Sequence, residues 1–253
     1  MKMDYKEILL SRDNEIVTLS LNRPQKLNAL TPLMLEEWRH ALETLSKDET
    51  CRIIVVKGEG KSWSAGVDLS LFSNTKVEPG FKAWEDGDAI INLLTTMPQV
   101  TIAMLNGYCF TGAMELMMAF DLIVAADEAK IGDTHCKWGI PPKWGMTQRL
   151  MDQVGMRKAK ELSFTAQAIS GTEAERIGLI NKSVPLAQLA ETVEVLCTQI
   201  LENSGQTIAA VKDLYQFGST HTLAEGLQYE LDYEMNPTDK KDNLKNFKKE
   251  LGK

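Results

Sequence analysis

The sequence predicts an α/β fold. Strand-length apolar runs such as Ile53–Val56, Val100–Met104 and Asp121–Ala126 alternate with segments of helical periodicity through residue 185. Beyond Pro185 the apolar spacing becomes almost wholly helical, as far as Gly252. These two observations place strands and helices in one α/β core over residues 1–190 and a helical region over 191–253.

The first strands are Ile8–Leu10 and Ile16–Leu21, paired as a hairpin about the polar turn Asp13-Asn14. A proline-bearing loop, Asn22–Leu30, leads to Thr31-Pro32, where a threonine cap precedes a proline in the first helical turn. Leu33, Leu35, Trp38, Leu42 and Leu45 then recur at helical spacing, to about Asp48. Ile53–Val56 is apolar at every position, so it is a strand buried on both faces. Ser62–Ser70 reads as a strand entering a helical turn through Ala65-Gly66. Residues Asn74–Gly87 read as an irregular stretch before a helix at Ala89–Leu94. Val100–Met104 is a strand, Met114–Ala126 is rich in helix formers, although Asp121–Ala126 also has strand length, and Lys130–Lys137 is a polar loop. Two prolines hold Gly139–Gly145 as a turn ahead of a helix starting near Thr147. A helix opening at Gly171 and a short strand at Ile180–Val184 complete the core.

Composition narrows the function classes. A 43% hydrophobic and 25% charged content is that of an ordinary globular protein. The net charge of −7, with basic residues dispersed until the tail at Lys240–Lys249, argues against a nucleic-acid partner. That basic tail is expected to be a solvated helix face. Cys51, Cys109, Cys136 and Cys197 contain no Cys-x-x-Cys pair, so neither zinc nor a disulfide framework is expected, and a reducing cytoplasmic setting fits. No run is long enough to span a membrane, and the start of the chain lacks the pattern of a signal peptide. Gly60-Lys61-Ser62 imitates the end of a phosphate-binding loop, but Val55 stands where that motif needs its first glycine.

The chemistry is expected around Asn106–Glu115. Gly112 at a helix start leaves its N–H free of an intrahelical partner, at the positive end of the helix dipole. Glu115, three residues on, shares that helix face. The pair is either a packed glycine turn with a structural carboxylate or an oxyanion donor beside an acid–base group. A second exposed N–H is expected at Val67, after Gly66, where a tight packed turn is the alternative. His135 is either a solvated or hydrogen-bonded bystander or a proton carrier with an ordinary pKa of about 6.5.

Taken together, Asn22-Arg23-Pro24…Leu27–Leu30, Lys61…Ser64–Leu69, Asn106-Gly107-Tyr108…Gly112…Glu115-Leu116 and Gly145…Thr147–Leu150 resemble, in order and separation, the crotonase (enoyl-CoA hydratase/isomerase) superfamily. The resemblance covers roughly residues 7–185. It implies a crotonase-like spiral of repeated ββα units, with a C-terminal helical region that builds trimers or dimers of trimers. It also implies a coenzyme A thioester as substrate. Neither a metal nor a separate cofactor is indicated. The thioester oxygen would lie on the N–H groups of Val67 and Gly112, and coenzyme A along Lys26, Leu27, Ala29, Lys61, Ala65, Asp68 and Leu69. Glu115 matches one of the two catalytic glutamates of the hydratases, whereas His135 stands at the position of the second. An acyl-CoA hydratase or isomerase is the first expectation. The alternatives are hydrolysis of an acyl- or β-keto acyl-CoA, and a non-catalytic acyl-CoA binder. Trp63, Phe72, Trp84, Trp138 and Trp144 are expected to wall a pocket for a short or ring-bearing acyl group.

Overall fold

After an opening hairpin within one sheet, the chain folds as strand pairs that divide between two sheets, each pair followed by a helix. The computed structural model describes residues 4–72, 82–235 and 237–238. Residues 74–81 of the expected irregular stretch, the side chain of Phe72 and the basic end Lys240–Lys249 lie outside the described residues.

β1 (Ile8–Asp13) and β2 (Ile16–Leu21) form the antiparallel hairpin, and α1 (Pro32–Leu45) follows. Thr31 caps α1 by accepting the Met34 N–H at 3.0 Å, with Pro32 in the first turn. The later pairs are β3 (Ile53–Gly58) with β4 (Ser62–Ser64), β5 (Val100–Leu105) with β6 (Tyr108–Phe110), and β7 (Leu122–Ala126) with β8 (Lys130–Gly132). They are followed by α2 (Lys82–Thr96), α3 (Gly112–Met117) and α4 (His135–Trp138). α5 (Met146–Thr165), β9 (Ile169–Ser170), α6 (Gly171–Arg176) and β10 (Lys182–Val184) come next, then α7 (Leu186–Leu201), α8 (Gly205–Gly218) and α9 (Leu223–Asp232).

The six-stranded sheet runs β1-β2-β3-β5-β7-β10 and is parallel beyond the β1–β2 hairpin. The second sheet runs β4-β6-β8-β9, parallel until β9 joins antiparallel. Each successive pair thus adds one strand to each sheet, which is the expected spiral of ββα units. Asn106 secures one crossing between the sheets: its amide donates to the carbonyls of Gly58 at 2.9 Å and Gly60 at 2.8 Å. The core between sheets and helices is apolar, and its largest fully buried side chains include Trp38 and Trp63, each worth several kcal/mol of burial.

Four local expectations are corrected. α2 begins at Lys82, so the stretch expected to be irregular through Gly87 is helical from there. Its inward face reads Ala83, Asp86, Gly87, Ile90, Ile91, Leu94 at helical spacing, and Pro79-Gly80 and Asp86-Gly87 conceal that period in the sequence. The apolar run Met114–Ala126 divides into the six-residue α3 and strand β7, because both are buried and periodicity cannot separate them. The short strand β6 lies within the glycine-punctuated join. The expected loop Lys130–Lys137 holds β8 and the first residues of α4.

α7 buries Leu189, Val193 and Cys197 against the same core, whereas α9 leaves Leu223, Leu227 and Leu231 exposed at i, i+4 and i+8. Among the described residues, no helix is long and apolar enough to cross a membrane.

Candidate active site

Val67, Gly112, Glu115 and His135, singled out from sequence, border one cavity. Gly66 and Gly112 bring the two loops together. Gly66 has φ of +89°, and a Cβ there would stand 2.6 Å from the Phe110 carbonyl oxygen. A Cβ on Gly112 would meet Val67 Cγ2 and the Trp144 ring, each at 3.0 Å. Neither the Val67 nor the Gly112 N–H is taken by another described residue. The isolated bridge between Leu30 and Val67 uses the N–H groups of Leu30 and Asp68, which accounts for the unengaged Val67 N–H. Thr111 precedes Gly112 at φ +53° and ψ −117°, a costly conformation for a threonine. Its hydroxyl hydrogen-bonds that of Thr134.

Glu115 is 2% exposed and firmly held. Its Oε1 accepts the N–H groups of Trp144 at 2.8 Å and Met146 at 3.2 Å. Its Oε2 lies 3.4 Å from His135 Nε2. His135 is also buried, and its Nδ1 is 2.7 Å from Asp133 Oδ1. The same Asp133 oxygen accepts the His135 backbone N–H at 3.1 Å.

Burial alone would make the imidazole less basic. The hydrogen bonds and charges of Asp133 and Glu115 outweigh that and raise its pKa to about 9. Burial likewise pushes the Asp133 carboxyl up, yet His135 and the nearby Ser163 hydroxyl hold it below its ordinary value. At neutral pH His135 is therefore an imidazolium, set in a row between Asp133 and Glu115. The expectation of an imidazole titrating near its ordinary pKa is overturned, because two carboxylates share one buried ring.

This row opens on a cavity of about 610 Å³. Val67, Gly112, Glu115 and His135 border it, as do Lys26, Ala29, Ala65, Asp68 and Leu69. Leu27 and Lys61 do not. The Leu27 backbone is spent on a left-handed turn and on accepting the Ala65 N–H, and Lys61 lies exposed at the entry to β4. Of the expected aromatic wall, Trp84 and Trp138 border the cavity together with Phe110. Trp63 belongs instead to the core, stacked edge-on with Trp38 and Phe120 and donating its indole N–H to the Val56 carbonyl at 3.0 Å. Trp144 is 2% exposed, packs behind Gly112 and donates to the Trp84 carbonyl at 3.1 Å.

Sequence reasoning missed Asp133 and the two N–H groups that anchor Glu115. The Asp-x-His spacing was the available signal for Asp133; the N–H groups carried none, since any residue offers one. Lys137 and Lys143, which also line the cavity, were missed as well. Among the described residues, no His/Cys/Asp/Glu group is arranged to hold a metal ion.

Comparison with known proteins decides the family. A family described as "Enoyl-CoA hydratase/isomerase" matches residues 11–251. The chain belongs to the enoyl-CoA hydratase/isomerase family. It is 34% identical over 221 residues to hydroxycinnamoyl-CoA hydratase-lyase from Pseudomonas fluorescens, covering 82% of this chain and 77% of that protein. It is 33% identical over 234 residues to crotonyl-CoA hydratase from Syntrophomonas wolfei, covering 92% and 87%. The crystal structure of enoyl-CoA hydratase from Bacillus anthracis superposes with a TM-score of 0.90 at 29% identity, over 97% of both chains. As a member of the hydratase/isomerase family, the chain is an enzyme of acyl-CoA hydratase or isomerase type. In this chain the imidazole of His135 is set between Glu115 and Asp133.

Proposed function

We propose that this enzyme adds water across the double bond of an α,β-unsaturated acyl-CoA, with Glu115 as base and His135 as acid. The approach of Glu115 Oε2 to His135 Nε2, 3.4 Å apart beside two unengaged N–H groups, carries this reading. Glu115 Oε1 is tied to two backbone donors, so Oε2 is the oxygen left to hold water. Water gives a proton to Oε2 as its oxygen bonds the β-carbon. The double-bond electrons move onto the thioester, whose oxygen becomes an enolate on the N–H groups of Val67 and Gly112. Donors placed in this way are worth about 3–4 kcal/mol each in the transition state. The His135 Nε2 proton passes to the α-carbon, and Glu115 returns the proton it took to Nε2. The sum is one water added, with both groups restored.

Lys26, Ala29, Ala65, Asp68 and Leu69 are proposed to hold coenzyme A along one cavity wall, with Leu27 and Lys61 contributing from beyond it. Trp84, Phe110 and Trp138 suit a short or ring-bearing acyl group. Crotonyl- and hydroxycinnamoyl-CoA, named in the two relatives, are of those kinds. No second cofactor enters this scheme. Residues 191–253 are proposed as the trimer-building region of a homotrimer or dimer of trimers, in the cytoplasm.

The test follows loss of the conjugated thioester absorbance of crotonyl-CoA, beside Glu115→Gln. Loss that vanishes in the variant supports hydration. Release of free thiol in its place would make the enzyme a hydrolase, and binding without either change would leave an isomerase or an acyl-CoA binder.

A further inference from the structure

The proposed reaction needs a proton on His135 Nε2, the nitrogen that faces Glu115. A neutral imidazole carries its single proton on either nitrogen, and its neighbours decide which. Asp133 supplies that decision twice over. Oδ1 takes the ring Nδ1 at 2.7 Å and the backbone N–H of the same residue at 3.1 Å, fixing both the ring and its attachment. An ionised carboxylate can only accept, so Nδ1 must carry hydrogen whenever this contact exists. Any further proton the ring gains or loses is then exchanged at Nε2, towards Glu115 and the cavity. Asp133 is itself 2% exposed and does not border the cavity, so it reaches the substrate only through His135.

The geometry points to Asp133 as the positioning residue of a proton relay, Asp133–His135–Glu115, in which it holds hydrogen on His135 Nδ1 and confines proton exchange to Nε2. This rests on the proposed use of His135 as an acid. It adds that the acid role of the imidazole depends on the buried carboxylate that stands behind the ring. The arrangement follows the logic of an acid–base histidine oriented by a buried aspartate.

The groups facing this row from the surrounding elements are few. Glu115 comes from α3 and the Ser163 hydroxyl from α5, the latter holding Asp133 in its ionised form. On α2, Asp88 senses the Glu115 charge: burial and that charge both raise its pKa. Lys26, Lys137 and Lys143 border the same cavity and appear in no ion pair with a described residue. Asp133 is thus the carboxylate on the Nδ1 side of the ring, and Glu115 the one on the Nε2 side.

The test is histidine side-chain NMR of the full-length protein labelled with nitrogen-15 histidine. The chain has three histidines, so His135→Gln assigns the resonance and His40 and His221 serve as internal controls. In the unmutated protein, the neutral form above the midpoint should keep its proton on Nδ1. A neutral form protonated on Nε2 overturns the proposal, whether or not any variant folds. In Asp133→Asn the His135 midpoint should fall by about 1–3 pH units, the range set by a close opposite charge. The basic limb of kcat should move with it, and kcat at neutral pH should drop about 10–100-fold with KM little changed. A merely structural Asp133 would lower activity by one factor at every pH and leave the midpoint where it was, which also overturns the proposal. The hydration reading fails separately: if crotonyl-CoA is not consumed while His135 titrates as described, the relay stands and the reaction must be sought elsewhere.

Discussion

Replacing His135 by glutamine should remove a pH-dependent part of the stability of the fold. In the native protein the imidazolium is held between Glu115 and Asp133, and its pKa rises from 6.5 to about 9. A raised histidine pKa means that the folded state binds the proton more tightly than the unfolded chain. The contribution is therefore complete below about pH 6.5 and is lost as pH rises through about 9. At about 1.36 kcal/mol per pH unit, the full effect is about 3 kcal/mol. It falls by more than half by pH 8 and to nearly nothing by pH 10. His135 is 5% exposed, so solvent screening takes little from these figures. The assay is urea unfolding of both proteins from pH 6 to 10, reading the difference between them at each pH. Common contributions cancel in that difference, including the buried thiols of Cys51 and Cys197, which burial raises to about 11. The gap should narrow by about 3 kcal/mol across the range. A gap that is constant with pH would refute the charged row, and the catalytic reading of His135 as an acid would lose its basis.

Much of the fold is legible because apolar period and cap chemistry are local properties. Thr31-Pro32 announced α1, and Ile53–Val56 announced a central parallel strand, since nothing but a two-sided burial tolerates such a run. β6, β8 and β9 have two or three residues each, too short for any period to register. The site is legible in part for a related reason. Gly112 and Glu115 lie on one helical turn, so local geometry couples them. Asp133 stands two residues from His135, but its importance depends on both being buried beside Glu115, a long-range fact. Trp63 shows the opposite failure: an aromatic near a motif looks like a pocket wall until the fold places it against Trp38.

Three further perturbations probe separate parts of this account. Lys212→Met leaves the Asp121 carboxylate without the cation now 2.8 Å away and removes a bond to the Gln99 carbonyl, so urea denaturation should show a loss of about 1–2 kcal/mol. A neutral result would mean that the Thr101 donors alone satisfy Asp121. Trp84→Ala enlarges the cavity wall and should shift kcat/KM towards longer or bulkier enoyl-CoA substrates in a chain-length series; an unchanged ranking would remove Trp84 from acyl selection. Gly112→Ala tests the oxyanion pair most directly. Its new methyl would stand 3.0 Å from both Val67 Cγ2 and the Trp144 ring, and Trp144 is buried and hydrogen-bonded at both its backbone and indole N–H groups. The adaptable partner is therefore Val67, and a backbone shift of Val67 that relieves the contact moves its N–H away from the Gly112 N–H. Stability should fall only by about 1–3 kcal/mol, as for one added methyl in a packed site. Activity should fall by about 10²–10³-fold, the cost of one displaced oxyanion donor. A folded Gly112→Ala protein with undiminished kcat would show that the thioester oxygen does not lie between these two N–H groups.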